Sequence, residues 1–210
     1  MNEEFPEDFP DRDTSRLARQ IHFILEIDRL KSVLRRSYLI GADRLENSAE
    51  HSWHLAMLAI VLAEHANESI DLLTVLKMVL IHDLVEIDAG DTYPYDPEAV
   101  AGQAEREHRA ADRLFALLPA DQAADLHALW HQFDRRETPE ARFAAALDRL
   151  MPLLHNYHTA GRAWLEHGVT RAQVLERNRH SGEGSTVLWA FAAELIEEAV
   201  GLGYLAGTPE

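Results

Sequence analysis

The sequence predicts an all-α domain built as a bundle of helices. Apolar residues recur at three- and four-residue spacing in almost every segment, and almost no segment alternates apolar and polar residues as a half-buried strand does. With 210 residues, 47% of them hydrophobic, the chain is long enough for one core. We therefore expect a single domain over residues 14–205. An acidic, proline-containing N-terminus, residues 1–13, is expected to be disordered or loosely attached.

The first half of the domain should hold three helices. The first is expected over residues 14–35, with an inward face that consists of Leu17, Ile21, Ile24, Leu25, Ile27, Leu30 and Leu34. Asn47 and Glu50 have the spacing of a capping box, which would open a second helix that runs to about residue 66. Asp71 is the expected N-cap of a third helix, which carries His82 and Asp83 near its end.

Proline, glycine and capping residues divide the second half. Asp96 and Thr138 each precede a proline, which is favoured at the first position of a helix. We expect further helices over residues 97–118, 121–135, 139–166, 170–180 and 185–202. Residues 181–184 and the last few residues are expected to be partly disordered. The apolar stripe of the last helix could pack on the domain or on a second subunit; it consists of Leu188, Ala192, Leu195, Ile196 and Ala199.

Composition excludes several classes of protein. The formal charge is −16, with 36 acidic against 20 basic residues, which is unfavourable for binding the nucleic-acid backbone. The absence of cysteine excludes disulfides and thiolate metal sites. No apolar run approaches the roughly 20 residues that span a bilayer, and the N-terminus is unlike a signal peptide. We expect a soluble, cytoplasmic protein that does not act on membranes.

The most informative stretch is His82-Asp83, which ends an apolar run and is followed by Glu86, Gly90 and Asp91. Ionisable side chains at the end of a core helix need partners, because an unpaired buried charge costs several kcal/mol. His82 and Glu86 are four residues apart and would share a helix face. A metal ion is one partner that satisfies such a set, and a solvated helix end is the alternative.

Two further sites could complete a metal centre. His51 stands one turn into the second helix, with His54 as a competing imidazole, and either could instead be an ordinary half-buried histidine. Asp148 lies in an apolar helix, where the alternative to a metal is a salt bridge to Arg142 or Arg149. Two imidazoles and two carboxylates form a mixed nitrogen and oxygen set that suits Mn, Fe, Co, Ni or Zn. His155 and His158 are possible outer-shell donors or ordinary polar residues.

Taken together, these motifs resemble those of a known family of enzymes. Glu50-His51-Ser52, then His82-Asp83-Leu84-Val85-Glu86 with Gly90-Asp91, then Asp148 resemble the HD-domain metal-dependent phosphohydrolases, and among them the 5'-deoxynucleotidase branch. The similarity spans roughly residues 15–165 and includes Glu46-Asn47 and the segment near Trp130. Each motif alone is weak, whereas the ordered set is specific. The resemblance implies an all-α HD-domain helical bundle, a homodimer and one divalent metal ion (Mn, Co, Fe, Ni, Zn or Mg).

The resemblance also implies roles for single residues. The metal ligands would be His51, His82, Asp83 and Asp148. Glu86 would be the catalytic acid or base, and Asp91 would orient water or substrate. Arg35 would contact the phosphate, or Arg36 if the alignment shifts by one residue. Tyr38 occupies the position where the branch usually has a tryptophan that shapes the sugar pocket, and this departure concerns the choice between deoxyribose and ribose.

The expected function is hydrolysis of the 5'-phosphate of (deoxy)nucleoside monophosphates by attack of a metal-activated water. A divalent ion lowers the pKa of bound water and offsets charge on the phosphoryl group. Arg44 is a second phosphate candidate, against the alternative of a surface arginine. A phosphodiesterase or another nucleotide hydrolase could use the same site. A non-catalytic metal- or nucleotide-binding module is the third alternative, and Glu86 and Asp91 argue against it because a structural metal does not need them.

Overall fold

The computed structural model describes residues 15–205, apart from the side chain of Pro97. Its architecture is helical, with one small antiparallel pair of strands in the described part of the chain. The all-α prediction is therefore confirmed. The loosely attached N-terminus was predicted for residues 1–13, which lie outside the described residues.

The elements follow one another with short connections. Their bounds are α1 Arg16–Glu26, β1 Leu34–Tyr38, β2 Leu45–Asn47, α2 Ser48–Leu62, α3 Leu72–Ile81, α4 Glu86–Ala89, α5 Pro97–Val100, α6 Gln103–Phe115, α7 Ala120–Arg135, α8 Pro139–His158, α9 Arg162–Glu166, α10 Arg171–Asn178, α11 Ser181–Gly184 and α12 Thr186–Gly201. Short 3₁₀ turns follow α1, α2 and α3, over Ile27–Ser32, Ala63–His65 and His82–Val85.

The predicted helix starts are well supported by capping contacts. Asn47 and Glu50 form the complete capping box of α2. The Asp71 side chain accepts from the backbone of Leu73 and Thr74 at the start of α3, and Thr138 caps α8 in the same way. These caps satisfy backbone N–H groups that have no partner inside the helix.

The predicted first helix is wrong in its second half. Helix α1 ends at Glu26, and residues 34–38 form a strand that pairs antiparallel with β2, with Leu34 opposite Asn47 and Tyr38 opposite Leu45. The expected inward face is wrong for Leu17, Ile21, Ile24, Leu25 and Leu34, which are exposed, whereas Leu30 is buried and Ile27 is half-buried. Helix α1 lies on the outside of the domain and buries only Phe23. Strand pairing depends on a distant partner, which a local helical pattern does not reveal.

Glycines account for most of the other differences. Gly102 has φ 73° and separates α5 from α6 within the predicted helix 97–118. The predicted helix 139–166 is divided at Gly161, which has φ 70°. Residues 181–184 form the short helix α11 and contact α8, contrary to the expected partial disorder. A Cβ on Gly184 would lie 2.2 Å from the carbonyl oxygen of Arg142, so the absence of a side chain permits this contact.

Two groups of buried side chains form the core. The larger unites α2, α3, α8 and α12, and it includes the whole apolar stripe of α12, which therefore packs on the domain. The smaller unites α1, α6, α7 and the turn after α3. Helix α8 contacts both α3 and α7 and is buried along most of its length. Leu84 and Val85 of the turn His82–Val85 belong to the smaller group, and all four residues of the turn are buried, so its ionisable residues lie in the interior.

Candidate metal centre and active site

Four side chains from three elements meet beside helix α8. His51 comes from α2, His82 and Asp83 from the turn after α3, and Asp148 from α8. His51 Nε2 lies 3.0 Å from Asp148 Oδ1, and His82 Nε2 lies 3.0 Å from Asp83 Oδ1 and 3.6 Å from Asp148 Oδ1. All four residues are buried. The structure thus brings together the four residues that the resemblance implied as ligands.

The donor atoms fit a divalent cation. His82 Nδ1 donates to the carbonyl oxygen of Val79 at 3.0 Å, which leaves Nε2 as the ring atom that faces the two carboxylates. This Nε2 is buried and makes no hydrogen bond to any described residue. Nitrogen atoms of His51 and His82 and a carboxylate oxygen of Asp83 lie within 4.8 Å of one another. Two imidazoles with carboxylates form a donor set typical of Zn, Mn, Fe, Co and Ni sites.

Burial and neighbouring charges shift the pKa values of His82, Asp83 and Asp148 strongly. Burial lowers the pKa of His82, but Asp83 and Asp148 outweigh it and raise that pKa to about 10. Burial raises the pKa of Asp83, yet His82 and Arg35 lower it to about 2. The pKa of Asp148 is held well below its usual value, against burial, by Arg149, His51 and His82. The carboxylates are therefore ionised and ready to bind a cation.

Arg35 is the basic residue nearest to this centre. Its position on β1 places Nη1 2.7 Å from Asp83 Oδ2 and 3.9 Å from carboxylate oxygens of both Glu86 and Asp91. These acids outweigh the effect of burial and raise the pKa of Arg35, so the guanidinium stays charged. Arg36, the alternative, is exposed and lines the same cavity. Of the two, Arg35 is the one that contacts the buried acids.

Glu86 and Asp91 lie beside Arg35 in the interior. Ser48 Oγ donates to Glu86 Oε2 at 2.6 Å, which fixes the carboxyl group. Burial, together with the charge of Asp83, raises the pKa of Glu86 well above its usual value and also raises that of Asp91. A raised pKa favours the protonated acid, the form that can donate a proton.

Two other residues singled out in the sequence face away from the centre. The Tyr38 hydroxyl lies 3.0 and 3.1 Å from the carboxylate oxygens of Glu166, and the Arg162 guanidinium lies 3.6 Å above the ring. Tyr38 is not among the residues that line the cavity, so its role in the sugar pocket stays a prediction. Arg44 pairs with Glu50 through both terminal nitrogens at the surface.

A second buried cluster lies behind His51. Potential ligand atoms of Glu46, His54 and His155 lie within 4.8 Å of one another. Glu46 Oε2 is 3.4 Å from His51 Nδ1, 3.6 Å from His155 Nδ1 and 3.7 Å from Arg35 Nε. These are ion-pair distances and not hydrogen bonds, because both carboxylate oxygens of Glu46 and Nδ1 of His51 have no hydrogen-bond partner among the described residues. Glu46 belonged to the resemblance without a role, and no sequence pattern predicted that it would meet His155.

The centre opens into a cavity of about 230 Å³. His82, Asp83, Glu86, Asp91, Asp148 and Arg35 all line it. Arg149 of α8 and Trp130 of α7, which the sequence analysis named in other roles, also line it. The sequence analysis did not select the other side chains in its wall, which come from α6, α7, α10 and the loop before α5 and include Tyr93, Tyr95, Glu107, Phe133, Arg177 and Asn178. Aromatic and charged walls around a buried polar centre are typical of small-molecule sites.

Comparison with known families identifies this arrangement. A model described as HD domain matches residues 27–189, which is more than three quarters of the chain. The chain belongs to the HD domain family. The predicted HD-domain fold is therefore confirmed, and the clustered residues His51, His82, Asp83 and Asp148 all lie within the matched range.

Several relatives of this HD-domain protein have names that state an activity. A protein from Bos taurus named 5'-deoxynucleotidase HDDC2 is 28% identical over 136 residues, which are 64% of this chain and 64% of the relative. The match thus spans less than two thirds of the bovine protein. A relative from Schizosaccharomyces pombe, named 5'-deoxynucleotidase hdd1, is 24% identical over 191 residues, 88% of this chain and 86% of the relative.

Solved structures show the same fold. A protein from Magnetospirillum magnetotacticum, named as a predicted metal-dependent phosphohydrolase, is 53% identical and superimposes with a TM-score of 0.88, over 95% of this chain and 98% of the other. The TM-score with a conserved hypothetical protein from Pyrococcus furiosus is 0.59 at 23% identity, a likeness of fold alone. Within residues 15–205 of the HD-domain chain, no helix has the length and apolar character needed to cross a membrane.

Proposed function

We propose that this protein is a metal-dependent phosphohydrolase that removes the 5'-phosphate from deoxynucleoside monophosphates. The observation that carries the proposal is the convergence of two imidazoles and two carboxylates at the wall of a cavity that Arg35 and Glu86 line. The activities named for the bovine and fission yeast relatives support the choice of substrate class. A structural metal would not need the additional acids, so a catalytic role is favoured over a sensor.

In this proposal His51, His82, Asp83 and Asp148 hold the ion. A bound divalent ion would supply a lowered pKa for a coordinated water and would offset charge on the phosphoryl group. The planar guanidinium of Arg35 would donate two parallel hydrogen bonds to the non-bridging phosphate oxygens. Mn, Co, Fe, Ni, Zn and Mg are the candidate ions, and the imidazole ligands favour the transition metals over Mg.

Glu86 and Asp91 would take part in proton transfer during the reaction. Hydrolysis adds water to phosphorus, breaks the bond to the 5'-oxygen and leaves one proton on that oxygen. The raised pKa of Glu86 favours its protonated form. Glu86 would donate this proton to the 5'-oxygen and would regain a proton from the attacking water. Asp91 Oδ1 lies 3.9 Å from the same Arg35 nitrogen as Glu86, and this acid would orient the water or the substrate. Ser48 holds the Glu86 carboxyl group in place.

The proposal extends to the assembly and the location of the protein. A homodimer is supported by a row of exposed apolar side chains on one face of α2, which consists of Trp53, Met57, Ile60 and Val61. Such a row in contact with water is typical of an interaction surface. Because nucleotides are intracellular metabolites, we place the enzyme in the cytoplasm.

The test compares the wild type with Asp83→Ala in a panel of nucleoside monophosphates and divalent ions. Removal of one ligand should reduce phosphate release from every mononucleotide on the order of a thousandfold or more, which corresponds to the several kcal/mol that a metal ion contributes. Asp112→Ala, which removes an exposed carboxylate, is the matched control and should keep full activity. Circular dichroism shows whether each variant is folded.

The same assay separates the alternatives. Faster cleavage of a cyclic or pyrophosphate-bearing nucleotide than of any monophosphate would replace the proposal with a phosphodiesterase or another nucleotide hydrolase. Tight nucleotide binding without turnover under every divalent ion would favour a sensor. Full activity of Asp83→Ala after the metal has been stripped would exclude the metal centre.

A further inference from the structure

Arginines form a positive cluster on the α10 side of the cavity. Arg149 follows the ligand-type residue Asp148 on α8, and Arg177 lies on α10; both line the cavity. We propose that Arg149 and Arg177 form a phosphate-binding subsite that holds the phosphoryl group together with Arg35. This inference rests on the proposed function, because it specifies how the substrate phosphate is held at the same site.

Arg149 has more hydrogen-bonding capacity than its protein partners use. Its Nη1 lies 3.2 Å from Asp148 Oδ2, whereas its Nε is buried and has no hydrogen-bond partner among the described residues. A metal ion bound to Asp148 would neutralise part of the carboxylate charge that now faces Arg149. The guanidinium would then need another anion, because a half-buried charge without a partner is costly.

Arg177 has no carboxylate within ion-pair distance in residues 15–205. Burial and the nearby charge of Arg149 lower its pKa to about 10, although Asp148 opposes this effect. Two arginines that repel each other in a cavity wall indicate a site that is completed by an anion. The excess of positive charge here contrasts with the net charge of −16 over the whole sequence.

Two neutral side chains lie beside the arginines and could contact the same anion. His180 Nε2 is buried without a hydrogen-bond partner in the described chain. Burial and the charges of Arg149, Arg136 and Arg177 lower the pKa of His180 to about 4, so the ring is neutral at pH 7. Tyr95 lines the same part of the cavity, and its hydroxyl is a further donor.

This chemistry fits a phosphomonoester dianion and its product, inorganic phosphate. The monoester has three non-bridging oxygens, which can be shared between the metal, Arg35 on the Asp83 side and Arg149 on the Asp148 side. A phosphodiester has only two non-bridging oxygens and one charge. The subsite would therefore favour monoesters, since paired guanidinium groups discriminate by charge and by the number of acceptors.

The test titrates inorganic phosphate into the metal-loaded protein by calorimetry. Arg177→Gln should weaken phosphate binding about tenfold or more, because a hydrogen-bonded charge pair is lost. The control is Arg179→Gln, an exposed arginine two residues away that pairs with Glu176, and this variant should bind phosphate as the wild type does. Metal affinity should be the same in all three proteins. Unchanged phosphate affinity in Arg177→Gln would overturn the subsite.

A second measurement uses the wild type alone and does not depend on a variant that folds. Phosphate should protect Arg149 and Arg177, but not Arg179, from modification by phenylglyoxal, as mapped by mass spectrometry. Equal modification with and without phosphate would reject the proposal. If phosphate protects the two arginines but the enzyme does not hydrolyse nucleotides, the subsite is supported and the proposed function is refuted. If the enzyme hydrolyses nucleotides but phosphate does not protect the arginines, the proposed function is supported and the subsite is refuted.

Discussion

His82 illustrates at the scale of one residue how the fold prepares a ligand. The carbonyl of Val79 fixes the proton on Nδ1 and so turns Nε2 toward the carboxylates. Without an ion, Asp83 and Asp148 stabilise a second proton on this ring and raise its pKa to about 10. A metal and a proton therefore compete for the same nitrogen, and metal affinity should depend on pH.

At pH 7 metal binding should release about one proton per site from His82. In the unfolded chain the pKa of this histidine is about 6.5. The raised pKa in the metal-free folded protein therefore stabilises the fold fully at pH values below about 6.5, and this contribution to stability is lost as the pH rises through about 10. Metal affinity should accordingly increase with pH over this range. Calorimetry in buffers with different ionisation enthalpies measures the protons released. The exposed His158→Gln variant should give the same count as the wild type, and a binding enthalpy that is independent of buffer would contradict the prediction.

At the scale of elements, two small structures position the site. The β1–β2 pair places Arg35 beside Asp83 and Glu46 behind His51. Helix α11 contacts α8, and α10 next to it supplies Arg177 to the cavity wall. The close approach of α11 to α8 depends on Gly184, whose backbone lies against the carbonyl of Arg142.

Gly184→Ala should therefore destabilise the protein. The added methyl group would lie 2.2 Å from a backbone oxygen, and forcing the helices apart should lower the free energy of unfolding by about 1–3 kcal/mol or more. Gly201→Ala is the matched control, because a Cβ there meets no atom within 4 Å; it should be neutral or stabilising by up to about 1 kcal/mol. Urea denaturation measures both. Equal midpoints for the two variants would show that α11 does not pack as described.

At the scale of the whole molecule, the outer surface is not uniformly polar. The exposed fractions of Trp53, Met57, Ile60 and Val61 on α2 are 62%, 40%, 52% and 62%, which leaves an apolar face on this helix. The high negative charge elsewhere favours solubility over nonspecific association. In the proposed homodimer, this face would form the contact between the two copies.

The proposed homodimer predicts that Val61→Glu gives a monomer. A charge within an apolar interface is costly, since it is desolvated without a partner. Size-exclusion chromatography with light scattering should show a dimer for the wild type. Leu165→Glu, at an equally exposed apolar position on α9, is the control and should stay dimeric. A monomeric wild type at micromolar concentration would rule out this assembly.

The sequence alone determined the features that are encoded by neighbours along the chain. Helical periodicity, the Asn47 capping box and the run from His82 through Glu86 depend on residues within one or two turns, so the fold class and the central motif could be predicted. Tertiary structure decided the rest. The pairing of Arg35 with β2, the contact of Glu46 with His155 and the entry of Arg177 into the cavity join residues far apart in the chain. Such contacts follow from how whole elements pack, and no local pattern encodes that packing.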